Sequence, residues 1–475
     1  MRNKLLFAAS VAAILGVSMT AQAQQLPVAT GSSPWPTTGM SGATLGQPIV
    51  NGTPMIGGQP ASALPPQVLT QPGGPQVIPV QPPQDGLPAT VPVHPGQHVG
   101  DCNACKDCTP PADNWGPTMP EDLKLFNIPC ADCCGVRFYG WLDAGYTYAS
   151  TGQGILPIEP RENRFGREFL LNEIALVLDK PLKGGCQFDW GFNATFYAGA
   201  DAALLRPEGG FTTENPRFGA DFRNLYVSAH LPLLTEGGVD VKAGRMGTVI
   251  GYESALAPYR PFYSNDYQWF YAEDGAFTGV VATWHANKQL DLLAGITMGA
   301  NTFFTMRGDS PCYLGQMNYW LTEKKQTLFS VGLYMGNNAI LAAPGLAGDF
   351  DTTIELRLQH DWNKYLTQII QSDDGWDSNV PGVGTGEWYS LYNIFVLHTS
   401  PCLDLTNRVE WFDDVNGTRT GVAANYGEVT VGLDYHPIPC LRLRPEARYD
   451  FADQPAFGSG THSQFTAAID MVLSF

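Results

Sequence analysis

In LRLRPEARYDF (441–451) the side chains alternate. Leu441, Leu443, Ala447, Tyr449 and Phe451 share one parity, and Arg442, Arg444, Glu446, Arg448 and Asp450 share the other. A period of two sends successive side chains to opposite faces of a strand, so such a segment has one oily face and one ionic face. The pattern recurs in IELRLQ, where Ile354, Leu356 and Leu358 oppose Glu355, Arg357 and Gln359, and in EVTVGLDY, where Val429, Val431, Leu433 and Tyr435 oppose Glu428, Thr430 and Asp434. In LDLTNRVEW, Leu403, Leu405, Val409 and Trp411 oppose Asp404, Thr406, Arg408 and Glu410. RFYGWLDAGYTY (137–148) begins the series with Asp143 on its polar parity, and QFTAAIDMVLSF (464–475) ends it with Asp470.

The exterior of a soluble sandwich also alternates, so composition and connection lengths must separate the two architectures. Charged residues make up 15% of the chain, against roughly 25% in ordinary soluble proteins. Hydrophobic residues make up 44%, yet no run of about eighteen apolar residues follows the N-terminus, which argues against helical membrane spans. We count about sixteen strands joined alternately by short and long links. Short ones fall near 179–185, 232–238, 285–289, 322–326, 360–364, 398–402 and 436–440; long ones include 150–166, 199–219, 248–275, 337–349 and 375–386. This is the rhythm of a closed antiparallel transmembrane β-barrel. An even strand count puts both barrel ends on one side, and closure removes the exposed sheet edges.

The N-terminus places Arg2 and Lys4 before an apolar stretch ending at Val17 and then Ala21-Gln22-Ala23. This is the layout of a secretory signal peptide over 1–23. Residues 24–100 are dominated by Pro, Gly, Gln, Ala, Val and Thr and read as a disordered tether, either a passive tail or a spacer touching the cell wall. Residues 101–134 hold Cys102, Cys105, Cys108, Cys130, Cys133 and Cys134. Export favours disulfides there, with metal binding or reactive thiols as alternatives, and six cysteines allow fifteen connectivities. Cys186, Cys402 and Cys440 are each expected to begin a strand after a short turn, and Cys312 to lie at the opposite rim. Cys402 and Cys440, two strands apart, are too distant to bridge: they are small buried thiols, or the strand count is off by one. The barrel itself is expected over 135–475.

Five segments resemble the OmpL-like β-barrel porin family of planctomycete-type bacteria: FYGWLDAGYTY (138–148), FLLNEIALVLDKP (169–181), FRNLYVSAHLP (222–232), VDVKAGRMGTVIGYES (239–254) and PFYSNDYQWFYAEDGAFTGVVATW (261–284). They occur in that order in the first half of the barrel, while the second half is similar mainly in strand pattern. The resemblance implies an outer-membrane porin-like barrel and leaves residues 24–134 without a counterpart. The C-terminal Met471, Leu473 and Phe475 resemble the signal read by outer-membrane assembly machinery, which gives a barrel in the outer membrane with its tether in the periplasm.

Catalytic patterns are scarce. The sequence has no H-E-x-x-H, no G-x-S-x-G and no P-loop, and the pairs Glu273-Asp274 and Asp413-Asp414 read as loop acids or weak Ca²⁺ ligands rather than a glycosidase dyad. No enzyme activity, cofactor or metal is expected. A net charge of −18 disfavours nucleic acid. A charge facing lipid near the midplane costs about 2–4 kcal/mol for Arg or Lys, so the ionic parity should face inward. Expected pore-lining residues are Asp143, Glu355, Arg357, Asp404, Arg408, Glu410, Glu428, Asp434, Arg442, Arg444, Glu446, Arg448 and Asp470. The link 248–275 is expected to fold inward as a constriction through Glu253, Tyr259, Arg260, Tyr263, Asp266 and Tyr267, with cation preference if Glu253 and Asp266 dominate; packing on the rim is its alternative. The functional expectation is a porin for passive diffusion of small polar solutes or ions, with lipid, assembly machinery and other copies of the chain as partners. A plugged structural or adhesive barrel is the alternative.

Overall fold

The computed structural model describes residues 135–475, apart from 157–162, 212–214, 337–347 and the single positions 274, 309, 323, 349, 439 and 459. The signal-peptide, tether and cysteine-cluster assignments, Cys102 to Cys134 included, lie outside the described residues.

Eighteen strands follow one another. They are β1 (Arg137–Ala149), β2 (Gly154–Ile155), β3 (Phe165–Gly166), β4 (Glu168–Lys180), β5 (Asp189–Gly199) and β6 (Gly219–Leu231). Next come β7 (Val239–Met246), β8 (Phe277–His285), β9 (Leu290–Ala300), β10 (Cys312–Trp320), β11 (Thr327–Gly336) and β12 (Phe350–Asn363). The last six are β13 (Leu366–Val380), β14 (Gly384–Ser400), β15 (Leu403–Asp414), β16 (Ala424–Ile438), β17 (Leu441–Ala452) and β18 (Ser463–Ser474). The pair β2–β3 stands apart; the other sixteen form one closed antiparallel barrel in sequence order. Two short helices, α1 (Ala200–Leu204) and α2 (Tyr267–Tyr271), lie in connections.

The seam joins β1 to β18, from Trp141 opposite Ser474 to Ala149 opposite Thr466. Phe475 completes it with two backbone bonds to Gly140, of 2.8 and 2.9 Å. Alternation now has a physical meaning: on β16, Val429 and Val431 are 40% and 46% exposed while Glu428 and Thr430, which alternate with them, are fully buried. The apolar parity forms the outer wall and the ionic parity faces the interior.

Short turns gather at one rim and longer connections at the other. One expected long link is corrected: 375–386 is mostly strand, with Trp376 opposite Glu387 and Asp377 opposite Gly386, leaving only 381–383 as a turn. Its glycines and Pro381 read as a loop, yet the ladder persists because Asp377 points inward and Trp376 outward. The cysteine register also needs adjustment. Cys186, Cys402 and Cys440 lie in turns just before β5, β15 and β17 rather than in the strands. Cys186 is disulfide-bonded. Cys312 and Cys440 are buried free thiols, whereas Cys402 is free and exposed. The sixteen-strand count therefore stands without a Cys402–Cys440 bridge.

If the outer wall faces lipid, Val431→Arg should lower the unfolding free energy in a bilayer by about 2–4 kcal/mol. Urea titration of tryptophan fluorescence measures it, and an unchanged midpoint would place this face in water.

Candidate functional site

The connection 247–276 between β7 and β8 runs through the barrel interior. A chain segment buried away from water must have its backbone N–H and C=O groups paired, and here no neighbouring strand supplies a ladder. The wall side chains supply the partners. Glu446 accepts the successive amides of Tyr263 and Ser264 at 3.0 and 3.1 Å. Glu410 does the same for Tyr267 and Gln268 at 2.6 and 2.8 Å, and Glu173 accepts Ala257 N–H at 3.1 Å. Guanidinium groups take the carbonyls: Arg444 donates to Ala257 and Arg260 at 2.8 and 2.7 Å, and Arg448 donates to Asn265 at 2.5 Å. Arg442 donates to Pro258 O and Arg357 to Gly251 O. Asp266 caps α2 by accepting Trp269 N–H at 2.6 Å.

Ion pairs lie behind these contacts. Arg260 reaches Asp201 at 3.1 Å, Asp143 at 3.2 Å and Glu173 at 3.5 Å. Arg408 pairs with Glu253 of the connection and Glu428 of the wall. Arg448 pairs with Asp450 at 2.8 Å and lies over the Tyr267 ring, 5.2 Å from its centroid. Arg444 pairs with Asp470 and Arg442 with Asp434. Burial, with the charge of Glu253 next, raises Asp266 well above the ordinary carboxylate range. Burial and the nearby charges of Asp373, Asp266 and Glu355 do the same to Glu273, so the neutral acid is favoured at both.

Apolar packing completes the attachment. Val249, Ile250, Trp269, Phe270 and Tyr271 share one buried cluster with inward residues of opposite walls: Val281, Leu293, Leu314 and Tyr334 on one side, Trp388, Phe412 and Tyr426 on the other. Leu256 and Ala257 pack with Trp141, Val177, Tyr197 and Val472 in a second cluster. Two inward positions need glycine for this fit. A Cβ on Gly145 would lie 2.6 Å from the Tyr263 ring, and one on Gly432 would lie 2.9 Å from Phe262.

The structure thus places Glu253, Tyr259, Arg260, Tyr263, Asp266 and Tyr267, the residues expected to form a constriction, inside the barrel. Asp143, Glu355, Arg357, Arg408, Glu410, Glu428, Arg444, Glu446, Arg448 and Asp470 surround them on the wall. Arg442, Asp434 and Asp404 lie toward the turn rim, where Asp404 meets His398 at 3.0 Å. These side chains are inward, but most are spent on the connection or on one another. Of the group, Glu253, Asp266 and Arg408 have no exposed surface and Arg260 has 1%.

Sequence reasoning missed Glu173, Asp201, Glu273 and Asp373. Glu173 follows a bulge at Asn172 that breaks strict alternation on β4, and Asp201 sits in α1. Glu273 was read as an exposed loop acid, but it accepts from Gln371 Nε2, which also bonds Asp373. Asp414, likewise read as a loop acid, ends β15 and accepts the amides of Thr418, Arg419 and Thr420. Among the described residues no group of three His, Cys, Asp or Glu side chains is placed to hold a metal ion.

A closed sixteen-strand barrel with an apolar outside, an ionic inside and a connection folded into its interior defines a porin-like outer-membrane barrel. The family model described as "Putative beta-barrel porin-2, OmpL-like" matches residues 135–475, and the chain belongs to that family. Among solved structures, the outer membrane channel DcaP of Acinetobacter baumannii is 13% identical, with a TM-score of 0.48 over 72% of this chain and 97% of that one. The anion-selective porin from Comamonas acidovorans is 12% identical, with a TM-score of 0.48 over 72% and 99%. OmpF of Salmonella typhi is 10% identical, with a TM-score of 0.49 over 72% and 97%. No curated protein is similar enough to match the chain.

Glu446→Ala should leave the Tyr263 and Ser264 amides without an acceptor, a cost of about 1–3 kcal/mol. Faster hydrogen exchange confined to 257–268, in a barrel that keeps its folded gel mobility, is the expected result. Unchanged exchange would mean that the carboxylate does not hold the connection.

Proposed function

We propose that this protein is a narrow-bore outer-membrane porin that lets small polar solutes or ions diffuse passively past a fixed constriction. The observation that carries this reading is the use of inward charges from both halves of the wall to hold 247–276 inside the barrel. A loop so tied would set the bore without moving. The arginines of β15 and β17 are matched by acids, whereas Glu410, Glu273 and Asp373 have no guanidinium bonded to them among the described contacts. Ionisation of any of these acids gives the proposed pore a weak cation preference. The turn rim faces the periplasm in this reading, which puts the N-terminal tether there, within reach of the cell wall. Phe475, Leu473 and Met471 then serve as the assembly signal.

A second reading, a plugged structural or adhesive barrel, is favoured by one specific feature. The apolar cluster reaches from β8–β11 through the connection to β14–β17, and the charged centre has almost no solvent-exposed surface. Planar-bilayer recording of the full mature chain separates the two. We expect small, steady conductance steps, a reversal potential of cation-preferring sign under a KCl gradient, and larger steps for Glu410→Ala. An inserted barrel that never conducts would overturn the porin reading in favour of the plug.

A further inference from the structure

The barrel wall is uneven in height. Strands β7, β8 and β10 have 8, 9 and 9 residues, whereas β12, β13 and β14 have 14, 15 and 17. At about 3.3 Å per residue and a tilt near 40°, eight or nine residues rise about 20–23 Å, less than the roughly 25 Å apolar band of such barrels. Without a compensating element the membrane would have to thin along this side, or a partner would have to cover it.

The β5–β6 and β9–β10 connections, which flank β7 and β8, carry exposed aromatic residues. Segment 301–307 is bolted onto the ends of β7 and β8. Arg245 donates to Thr302 O at 2.5 Å, Thr278 Oγ1 donates to the same carbonyl at 3.0 Å, and Phe304 N–H donates back to Thr278 Oγ1 at 3.1 Å. Residues 206–208 join it laterally, with Glu208 N–H bonded to Asn301 O and Phe303 N–H to Glu208 O. A continuous series of rings then leads off the outer wall: Phe196 to Phe222 at 5.4 Å, Phe222 to Phe211 at 6.2 Å, Phe211 to Phe303 at 5.9 Å and Phe303 to Phe304 at 5.2 Å. Phe211, Phe304 and Met306 remain 49%, 52% and 46% exposed. Beside them Arg307 pairs with Glu208 at 2.9 Å, a polar edge of the kind found where side chains meet lipid headgroups.

We propose that Phe211, Phe303, Phe304 and Met306 form an aromatic ridge that lies against lipid acyl chains and completes the hydrophobic height of the barrel above β7 and β8. Continuity with the lipid-facing wall through Phe196 and Phe222 identifies the occupant. The bolting of 301–307 to β7 and β8 holds the rings at the height the short strands fail to reach. The ridge thus makes a pair of loops part of the membrane-embedded surface.

The full chain carrying p-benzoylphenylalanine in place of Phe304 would be inserted into dimyristoylphosphatidylcholine vesicles and irradiated. Position Val431 serves as a lipid-facing control and Asp453 as an aqueous one. A single phospholipid adduct on the 304 peptide, at a yield close to that of position 431, is expected. A yield like that of position 453, or a covalent dimer of the chain, would overturn the proposal in favour of water or a second copy. As an independent readout, Phe211→Ser with Phe304→Ser should speed unfolding at least severalfold more in dioleoyl than in dilauroyl bilayers. Equal effects in both would assign the rings to loop packing alone.

Discussion

The structure depends on the backbone demands of one buried connection. A segment of some thirty residues inside a barrel has no strand beside it, so its amides and carbonyls must find side chains or lose their hydrogen bonds to water without replacement. The wall meets this with carboxylates that each accept consecutive amides and guanidiniums that each reach carbonyls, as Glu446, Glu410, Arg444 and Arg448 do. The geometry suits the chemistry: a carboxylate has two acceptor oxygens and no donor, and a guanidinium has five donors and no acceptor. Lys would offer a single ammonium in place of that fork, and every basic residue of β15 and β17 is Arg.

The charges that seem to advertise a pore thus have a structural duty first. Each buried ion would cost several kcal/mol if left alone, and pairing offsets that cost only when the remaining lone pairs and protons are also bonded. Arg408, with Glu253 from the connection and Glu428 from the wall, shows how the two requirements merge: the same ion pair neutralises the lumen and fastens the loop. A wall designed only to attract solute would leave such groups in water. What pairing leaves over is the set of acids around Glu273 and Asp373, not the arginine-rich face that dominates the sequence pattern.

The barrel was legible because alternation is a local property enforced by two immiscible surroundings. Val429 and Glu428 cannot exchange sides without moving a charge into lipid, so every strand with a strict period announces its register. The inward course of 247–276 was legible more weakly, from its length and its mixture of acids, Arg260 and tyrosines. Legibility failed where alternation was broken or chemistry was distributed. The bulge at Asn172 places Glu173 off the expected parity, although it binds Ala257. The glycine-rich 375–386 concealed the ends of two long strands, because its one acid, Asp377, points inward and accepts Gly348 N–H. The apolar cluster through Leu314, Trp388 and Phe412 was invisible because an inward apolar residue in a strand resembles an outward one until its register is known.

These two inner surfaces also explain why one connection can be both fixed and local in its effect. Its apolar residues, Ile250, Trp269 and Phe270, belong to the cluster shared by opposite walls, so shifting the loop would open cavities on both sides at once. Its polar backbone, by contrast, is held by individual carboxylates that can be removed singly. Position is thus set cooperatively by packing, while local order is set piecewise by hydrogen bonds. Loss of one clamp such as Glu410 frees the amides of Tyr267 and Gln268, while Trp269, Phe270 and Tyr271 keep the apolar contacts that hold the helix against Phe412.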